Sequence, residues 1–413
     1  MSTSPFVTHP GVICTAEGIA ALAARLKGES VIAFDTEFIR ENTFFPIVEI
    51  IQIATDRESW LVDAKAFKTW RAQSPNPKGL ELEALRPLLD IFADPQILKI
   101  VHAAQGDQEC LYTSFGVVAT PSLDTAVAAS LCGMGDGIGL GNLLKVMLGV
   151  NLKKGHARTD WSIRPLPEQL EEYAHADVVH LVELGQTLLE KLDELGRREW
   201  AMEQTARFED KTAYEPNIDD LALRLARGGR FDKKGMGVLR ELVRWREERV
   251  RVLNLPRRWV ADDNVLTDLA QVRPKDVQHL SAFRGLNKGE LKNGGEAILS
   301  AIQRGLDAPD MAAPKYQRSD VPSTEESQVL DLLKCYVGIL ADRHRIATRH
   351  LVISAQLLPL LRSEAKTAAD LVTDGLLSEG SGHLVGEEIL AFLRGKRALS
   401  VEGSQIRIVS LKD

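Results

Sequence analysis

A chain of 413 residues is longer than one ordinary core and fits two or three domains. Hydrophobic residues at 44% and charged residues at 26% are the composition of a globular protein, and no stretch approaches the roughly 18 uninterrupted apolar residues of a membrane helix. The net charge of −7 excludes a uniformly basic surface, so any polyanion contact has to come from a local excess of Lys and Arg.

The start, Met-Ser-Thr-Ser-Pro, has no basic stretch followed by an apolar run, so a cytoplasmic location and no membrane contact are expected. Residues 17–27 carry Ile19, Leu22 and Leu26 at helical spacing, and the apolar run 31–34 suits a buried strand. Residues 47–53 and 60–62 predict two more strands. Pro75 and Pro77 mark 71–79 as a loop before a helix over 82–92, and 97–101 is strand-like again. From Pro167 the series Leu170, Ala174, Val178, Leu181, Leu184 and Leu188 predicts one long amphipathic helix. Beyond Phe208 helical patterns dominate, which gives an α/β unit over 1–208 and a helical unit over 215–306. Three prolines make 307–323 a linker. Residues 324–413 start helical and end in a small hairpin around Glu402-Gly403-Ser404. No internal repeat of fixed period is visible. Cys14, Cys110, Cys132 and Cys335 lie scattered without a Cys-x-x-Cys pair, which argues against zinc and disulfides.

Charge is unevenly placed. Between residues 224 and 259 twelve Lys or Arg stand against four Asp or Glu, a local +8 that leaves −15 for the remainder and reads as a nucleic-acid footprint.

The strongest chemical signal is Phe34-Asp35-Thr36-Glu37-Phe38 at the end of an apolar strand. Alternation sends Asp35 and Glu37 to one face, where two carboxylates repel each other unless a cation neutralises them. Hard oxygen donors favour Mg²⁺ or Mn²⁺. Asp107 follows a strand and opens a helix, and Tyr173 and Asp177, four residues apart, share one helix face. His102 and His175 read as packed, hydrogen-bonded residues and Trp161 as a packing anchor.

The ordered set Asp35, Glu37, Asp107, Tyr173 and Asp177 resembles the DEDD exonucleases with tyrosine in the third motif. Asp35-Thr36-Glu37-Phe38 with Gln52 and Asp63, Leu123-Asp124-Thr125, and the run from Lys153-Lys154 through Arg158-Thr159-Asp160-Trp161 to Arg164-Pro165-Leu166 look like RNase D, over about residues 11–205. The resemblance implies an RNase H-like α/β domain, a mixed sheet with helices, that removes nucleotides from 3′ ends as nucleoside 5′-monophosphates. It implies two divalent metal ions, Mg²⁺ or Mn²⁺, about 4 Å apart. Asp35 would bridge them, Glu37 and Asp177 would complete the nucleophile-side site, Asp107 would help hold the second, and Tyr173 would orient the attacking water. Lys153, Arg158 and Arg164 are then candidates for substrate phosphates.

Residues 235–305, with Arg244-Trp245-Arg246-Glu247 and Asn254-Leu255-Pro256-Arg257-Arg258-Trp259, resemble the HRDC domain, an all-α nucleic-acid-binding module, and add Arg257 and Arg258 as substrate contacts. Residues 324–413 occupy the place of a second, divergent HRDC domain, from which His383-Leu384-Val385-Gly386 and the hairpin depart. The expected partner is RNA, tRNA precursors and small structured RNAs, and the expected state is a monomer. Truncation after Ala308 is expected to leave catalysis intact but weaken the binding of structured RNA. A DNA exonuclease and a non-catalytic binding protein are the competing readings, and the five retained site residues argue against the second.

Overall fold

The structure, a computed structural model, describes residues 6–67, 82–152, 159–227, 231–281, 283, 286, 288–308 and 321–411. The expected loop at 71–79 lies outside these residues. The first half alternates strands and helices: β1 (Val7–Ile13), α1 (Ala16–Leu26), β2 (Val31–Ile39), β3 (Ile47–Ala54), β4 (Glu58–Asp63), α2 (Leu82–Ala93), β5 (Leu98–Val101), α3 (Gln105–Phe115), β6 (Ser122–Asp124), α4 (Thr125–Leu131) and α5 (Leu140–Leu148). Then follow α6 (Glu168–Val178), α7 (Leu181–Glu194) and α8 (Arg198–Ala206).

The strands form one mixed sheet in the order β1-β4-β3-β2-β5-β6. β2 is antiparallel to β3 and parallel to β5, so it is central and its far end opens where helices cover both faces. Strand alternation divides the packing. Phe34 and Ile32 of β2 face α1 and α2 in one apolar cluster, whereas Ala33 belongs to a second cluster on the opposite face with α4 and α7. Asp35 and Glu37 share the face of Ala33.

Two strands have no counterpart in the sequence reading. β1 carries Pro10 and Gly11, the latter at φ 77, and its register slips between Thr8 and Val12. An edge position tolerates both, because the missing donor faces no neighbour. β6, at the other edge, is three residues long.

The single amphipathic helix expected from Pro167 is two helices, with the break at Val179 and His180. Its apolar stripe serves two cores. Leu170 and Ala174 pack with Ile50, Leu61 and Trp161, while Val178, Leu181, Leu184 and Leu188 pack with α4 and β5. A continuous period of three to four residues looks the same whether the helix is straight or turns between cores.

Two helical units follow. The first holds α9 (Ile218–Ala226), α10 (Lys233–Leu253), α11 (Arg257–Val260), α12 (Asp263–Val272), α13 (Val277–Leu280) and α14 (Lys288–Asp307). The second holds α15 (Thr324–His344), α16 (Thr348–Leu351), α17 (Ser354–Leu361), α18 (Ala368–Thr373), α19 (Glu379–Ser381) and α20 (Glu387–Leu393), ending in the hairpin β7 (Arg397–Glu402) and β8 (Gln405–Ser410). α14 runs to Asp307, so the first residue of the expected linker is helical, and 309–320 lie outside the described residues.

The two units repeat one succession without a periodic sequence. α10 and α15 are both 21 residues long and end in a left-handed residue, Asn254 at φ 51 and Arg345 at φ 54. A four-residue helix follows each, and the chain then leaves extended through Ala261 and Val352. The copies diverge at the end. A π-helical turn, Gly382–Gly386, joins α19 to α20, and a Cβ on Gly382 would lie 2.3 Å from Val372, so only glycine allows α18 this close.

Neither unit stands apart from the sheet. Phe44, on the loop after β2, packs into the core of the first unit, and Asn254 Oδ1 accepts from the backbone N–H groups of Phe44 and Phe45 at 3.1 and 2.9 Å. The second unit shares one apolar cluster with α4, α7 and α8 that includes Trp200, Leu333, Tyr336 and Leu351.

Candidate active site

β2 delivers Asp35 and Glu37, and α6 crosses the same face with Tyr173 and Asp177 one helical turn apart. Carboxylate oxygens of Asp35, Glu37 and Asp177 all lie within 4.8 Å of one another, each residue partly exposed. Asp107 stands one step back in the first turn of α3 and is 6% exposed. Its Oδ1 accepts from Thr36 twice, from the backbone N–H at 3.0 Å and the hydroxyl at 2.5 Å. Thr36 points to the opposite face from its neighbours, and this is what ties α3 to the strand carrying Asp35 and Glu37.

The loop before α3 is equally fixed. Asp124 caps α4 through Ala126 N–H and also accepts from Ala103 and Ala104 N–H at 2.9 and 3.1 Å, holding Ala103 at φ 59. In the sequence Asp124 stands out only as part of Leu123-Asp124-Thr125. Its role needs three donors from two segments, which no local pattern displays.

Crowded acids under partial cover titrate high. Burial, then Asp107, Asp177 and Glu37, push Asp35 well above the ordinary range, and burial followed by Asp177 and Asp107 raises Glu37 to about 8. Asp107 rises to about 6 by burial against the opposing hydrogen bonds of Thr36. Asp177 also rises to about 6 by burial, opposed by a hydrogen bond from the Tyr173 hydroxyl. Burial and the charge of Asp177 push the Tyr173 phenol upward, so it keeps its proton at neutral pH. A cluster of oxygen donors with raised pKa values is what a divalent cation relieves, so the residues present fit Mg²⁺ or Mn²⁺.

The histidines lie in the packing. His102 Nδ1 is 2.9 Å from Thr125 Oγ1, and His175 Nδ1 is 2.7 Å from Ser59 Oγ; burial lowers the pKa of both. Trp161, 4% exposed, lies with its ring 6.0 Å from that of Tyr173 and so braces the phenol.

The substrate-phosphate candidates fare differently. Lys153 and Arg158 lie outside the described residues. Arg164 requires correction, because its five N–H donors are already taken. Nε and Nη2 reach both oxygens of Asp63 at 2.7 and 2.8 Å, Nη1 donates to the carbonyls of Trp161 and Ile163, and Nη2 also donates to the Glu49 carbonyl. Arg164 is a strap that fastens the loop before α6 to β3 and β4. Arg257 is clamped by both oxygens of Glu247 at 2.7 Å, and Arg258 is exposed at the edge of a cleft.

A divalent-metal-dependent 3′-to-5′ exonuclease is the class of protein that this sheet and this carboxylate cluster define. The family model described as 3′-5′ exonuclease matches residues 11–193, and that of the HRDC domain matches 236–302. The chain is 33% identical to ribonuclease D of Gluconacetobacter diazotrophicus over 96% of both chains, and 31% identical to ribonuclease D of Acidiphilium cryptum over 100% of both. It shares the fold of Escherichia coli RNase D, an exoribonuclease involved in structured RNA processing, with a TM-score of 0.74 at 24% identity over 95% of this chain and 99% of that one. The chain belongs to the ribonuclease D family and is a 3′-to-5′ exoribonuclease.

Proposed function

We propose that the enzyme trims the 3′ ends of tRNA precursors and other small RNAs, releasing nucleoside 5′-monophosphates, with Asp35, Glu37, Asp107, Tyr173 and Asp177 as its catalytic residues. The observation that carries the assignment is the meeting of Asp35, Glu37 and Asp177 within 4.8 Å beside a protonated phenol. Asp35, Glu37 and Asp177 would hold the cations through their carboxylates. Asp107, whose Oδ1 is committed to Thr36, contributes from behind Asp35. When bound, Mg²⁺ or Mn²⁺ lowers the pKa of water and neutralises charge at the phosphate. The Tyr173 hydroxyl donates a hydrogen bond to Asp177 and keeps its proton, so its oxygen lone pairs would orient the attacking water rather than deprotonate it.

The α/β unit over 1–208 performs the cleavage, the HRDC unit over 215–306 contributes to holding RNA, and 324–413 is a divergent second copy of it, a reading supported by the repeated helix succession. The enzyme acts as a monomer in the cytoplasm. Among the described residues no helix is long and apolar enough to cross a membrane.

A gel assay on 5′-labelled RNA and DNA with Mg²⁺ or Mn²⁺ tests the reading. The expected outcome is a ladder shortening from the 3′ end of RNA, weak on DNA and absent in Asp35→Ala. Near wild-type turnover by Asp35→Ala would refute the site.

A further inference from the structure

The basic excess of residues 224–259 is largely consumed inside the molecule. Arg240 pairs with Asp219 at 2.6 Å, Arg246 is 2% exposed between Glu247 and Asp263, and Arg257 is held by Glu247. Lys233, Lys234, Arg249 and Arg251 also have partners. Two cations of this stretch, Arg224 and Arg258, meet Arg207 from outside it at one place. A cleft of about 1240 Å³ opens where the sheet unit meets the two helical units, and Arg207, Arg224 and Arg258 reach it from the end of α8, from α9 and from α11. All three are exposed, and none has a carboxylate within salt-bridge distance among the described residues. Arg207 lies over the Phe208 ring at 4.6 Å, and Arg349, which also lines the cleft, is paired with Asp136 at 2.6 Å.

Position and shape specify the anion that these arginines would take. Ala103 and Gln105 line the cleft at the start of α3, whose first turn carries Asp107, so one end of the cleft lies at the helix that contributes to the carboxylate cluster. Trp259, 50% exposed, gives it an aromatic face. Cations that track a backbone beside aromatic faces suit a single strand, and the volume exceeds the roughly 300–1000 Å³ of small-molecule pockets.

We infer that this cleft holds the single-stranded RNA upstream of the 3′ end being cleaved, with Arg207, Arg224 and Arg258 on backbone phosphates and Trp259 against a base. The inference rests on the exoribonuclease reading and extends it to the path of the strand.

The test is fluorescence anisotropy in EDTA, which prevents cleavage, with 5′-labelled oligoribonucleotides of about 3 and 12 nucleotides. Each phosphate contact to a single strand contributes about 0.7 to the slope of log affinity against log salt. The triple variant Arg207→Gln/Arg224→Gln/Arg258→Gln is expected to bind the longer RNA about tenfold more weakly, with a slope lower by about 2, and to lose the wild-type gain in affinity with length. An unchanged affinity and slope would overturn the inference. If the triple variant fails to fold by circular dichroism, Arg258→Gln alone carries the test, with a slope lower by about 0.7 expected and an unchanged slope refuting. Wild-type cleavage of the longer RNA in Mg²⁺ is followed in parallel. Its absence would refute the exoribonuclease reading, whereas an unchanged slope refutes only the cleft.

Discussion

Glu37 shows how a site built for a cation destabilises its own metal-free fold. Its pKa rises from an ordinary 4.5 to about 8, first through burial and then through Asp177 and Asp107. A raised carboxyl pKa means that the folded chain binds the proton more tightly than the unfolded one. The stabilisation is fully present below pH 4.5 and is lost as the pH climbs through 8. Glu37→Gln removes the charge without the volume. In EDTA the variant is expected to melt several degrees above wild type at pH 8 and level with it near pH 4, whereas saturating Mg²⁺ at pH 8 raises the melting temperature of wild type more than that of the variant. Differential scanning fluorimetry over that range decides, and parallel profiles for the two proteins in EDTA would contradict the account. Strand alternation and the four-residue helical interval made it legible that Asp35 shares a face with Glu37 and Tyr173 with Asp177, whereas joining the two pairs into one site took the resemblance to the DEDD exonucleases. Arg164 was not legible in this way. Its acceptors come from residues 49, 63, 161 and 163, and a charged side chain in a loop carries no sign of whether it faces solvent or its own fold.

At the scale of elements, one residue at the joint between the sheet and the first helical unit does two things. Asn254 ends α10 in the left-handed region at φ 51, and its Oδ1 accepts from two backbone amides of the loop that follows β2. Asparagine enters that conformation more readily than most side chains, and it alone among the residues at ease there carries such an acceptor together with an amide. The two roles separate by substitution. Asn254→Gly keeps the backbone and loses the bonds, at about 1–2 kcal/mol, and Asn254→Ala adds roughly 1 kcal/mol of left-handed strain. Urea unfolding measures both, and wild-type stability in the glycine variant would show that the amide contacts add nothing. Most helices and the central strands follow from periodicity. The edges and the turns between cores do not: β1 hides behind Pro10 and Gly11, and the break between α6 and α7 hides in an unbroken apolar stripe. The repeat of the two helical units is invisible because it is kept in helix lengths and left-handed ends, not in residues recurring at a fixed spacing.

At the scale of the whole molecule, the second helical unit is part of the enzyme's core, which reverses the expectation that the chain survives truncation after Ala308. Leu333, Tyr336, Leu351 and Leu360 lie in the same apolar cluster as Leu131, Leu184, Leu188 and Trp200 of the sheet unit. Gly380 sits so close to Trp200 that a Cβ there would meet the indole at 2.2 Å, and a Cβ on Gly133 would lie 2.9 Å from the Arg345 carbonyl. Arg197 spans the junction, donating to the carbonyls of Leu131 and His344, and Arg349 pairs with Asp136 at 2.6 Å. Removing residues 309–413 would bare Trp200, now 5% exposed, and each large side chain returned to water costs roughly 1.5–3 kcal/mol. A few such residues equal the whole stability of an ordinary domain, about 5–15 kcal/mol. The truncated chain is therefore expected to be aggregated or to melt at least ten degrees lower, with cleavage of even a short unstructured RNA lost in proportion to the folded fraction. A local lesion checks that the cause is the junction and not the length of chain removed. Gly380→Ala adds one methyl group against Trp200, and overpacking of that kind costs about 1–3 kcal/mol. Scanning calorimetry of the full-length variant is expected to show the loss as a lower melting temperature of the sheet unit and the second helical unit together. A truncated enzyme that melts with the wild type, or a Gly380→Ala protein in which only the C-terminal residues loosen, would mean that the shared cluster does not couple the two units.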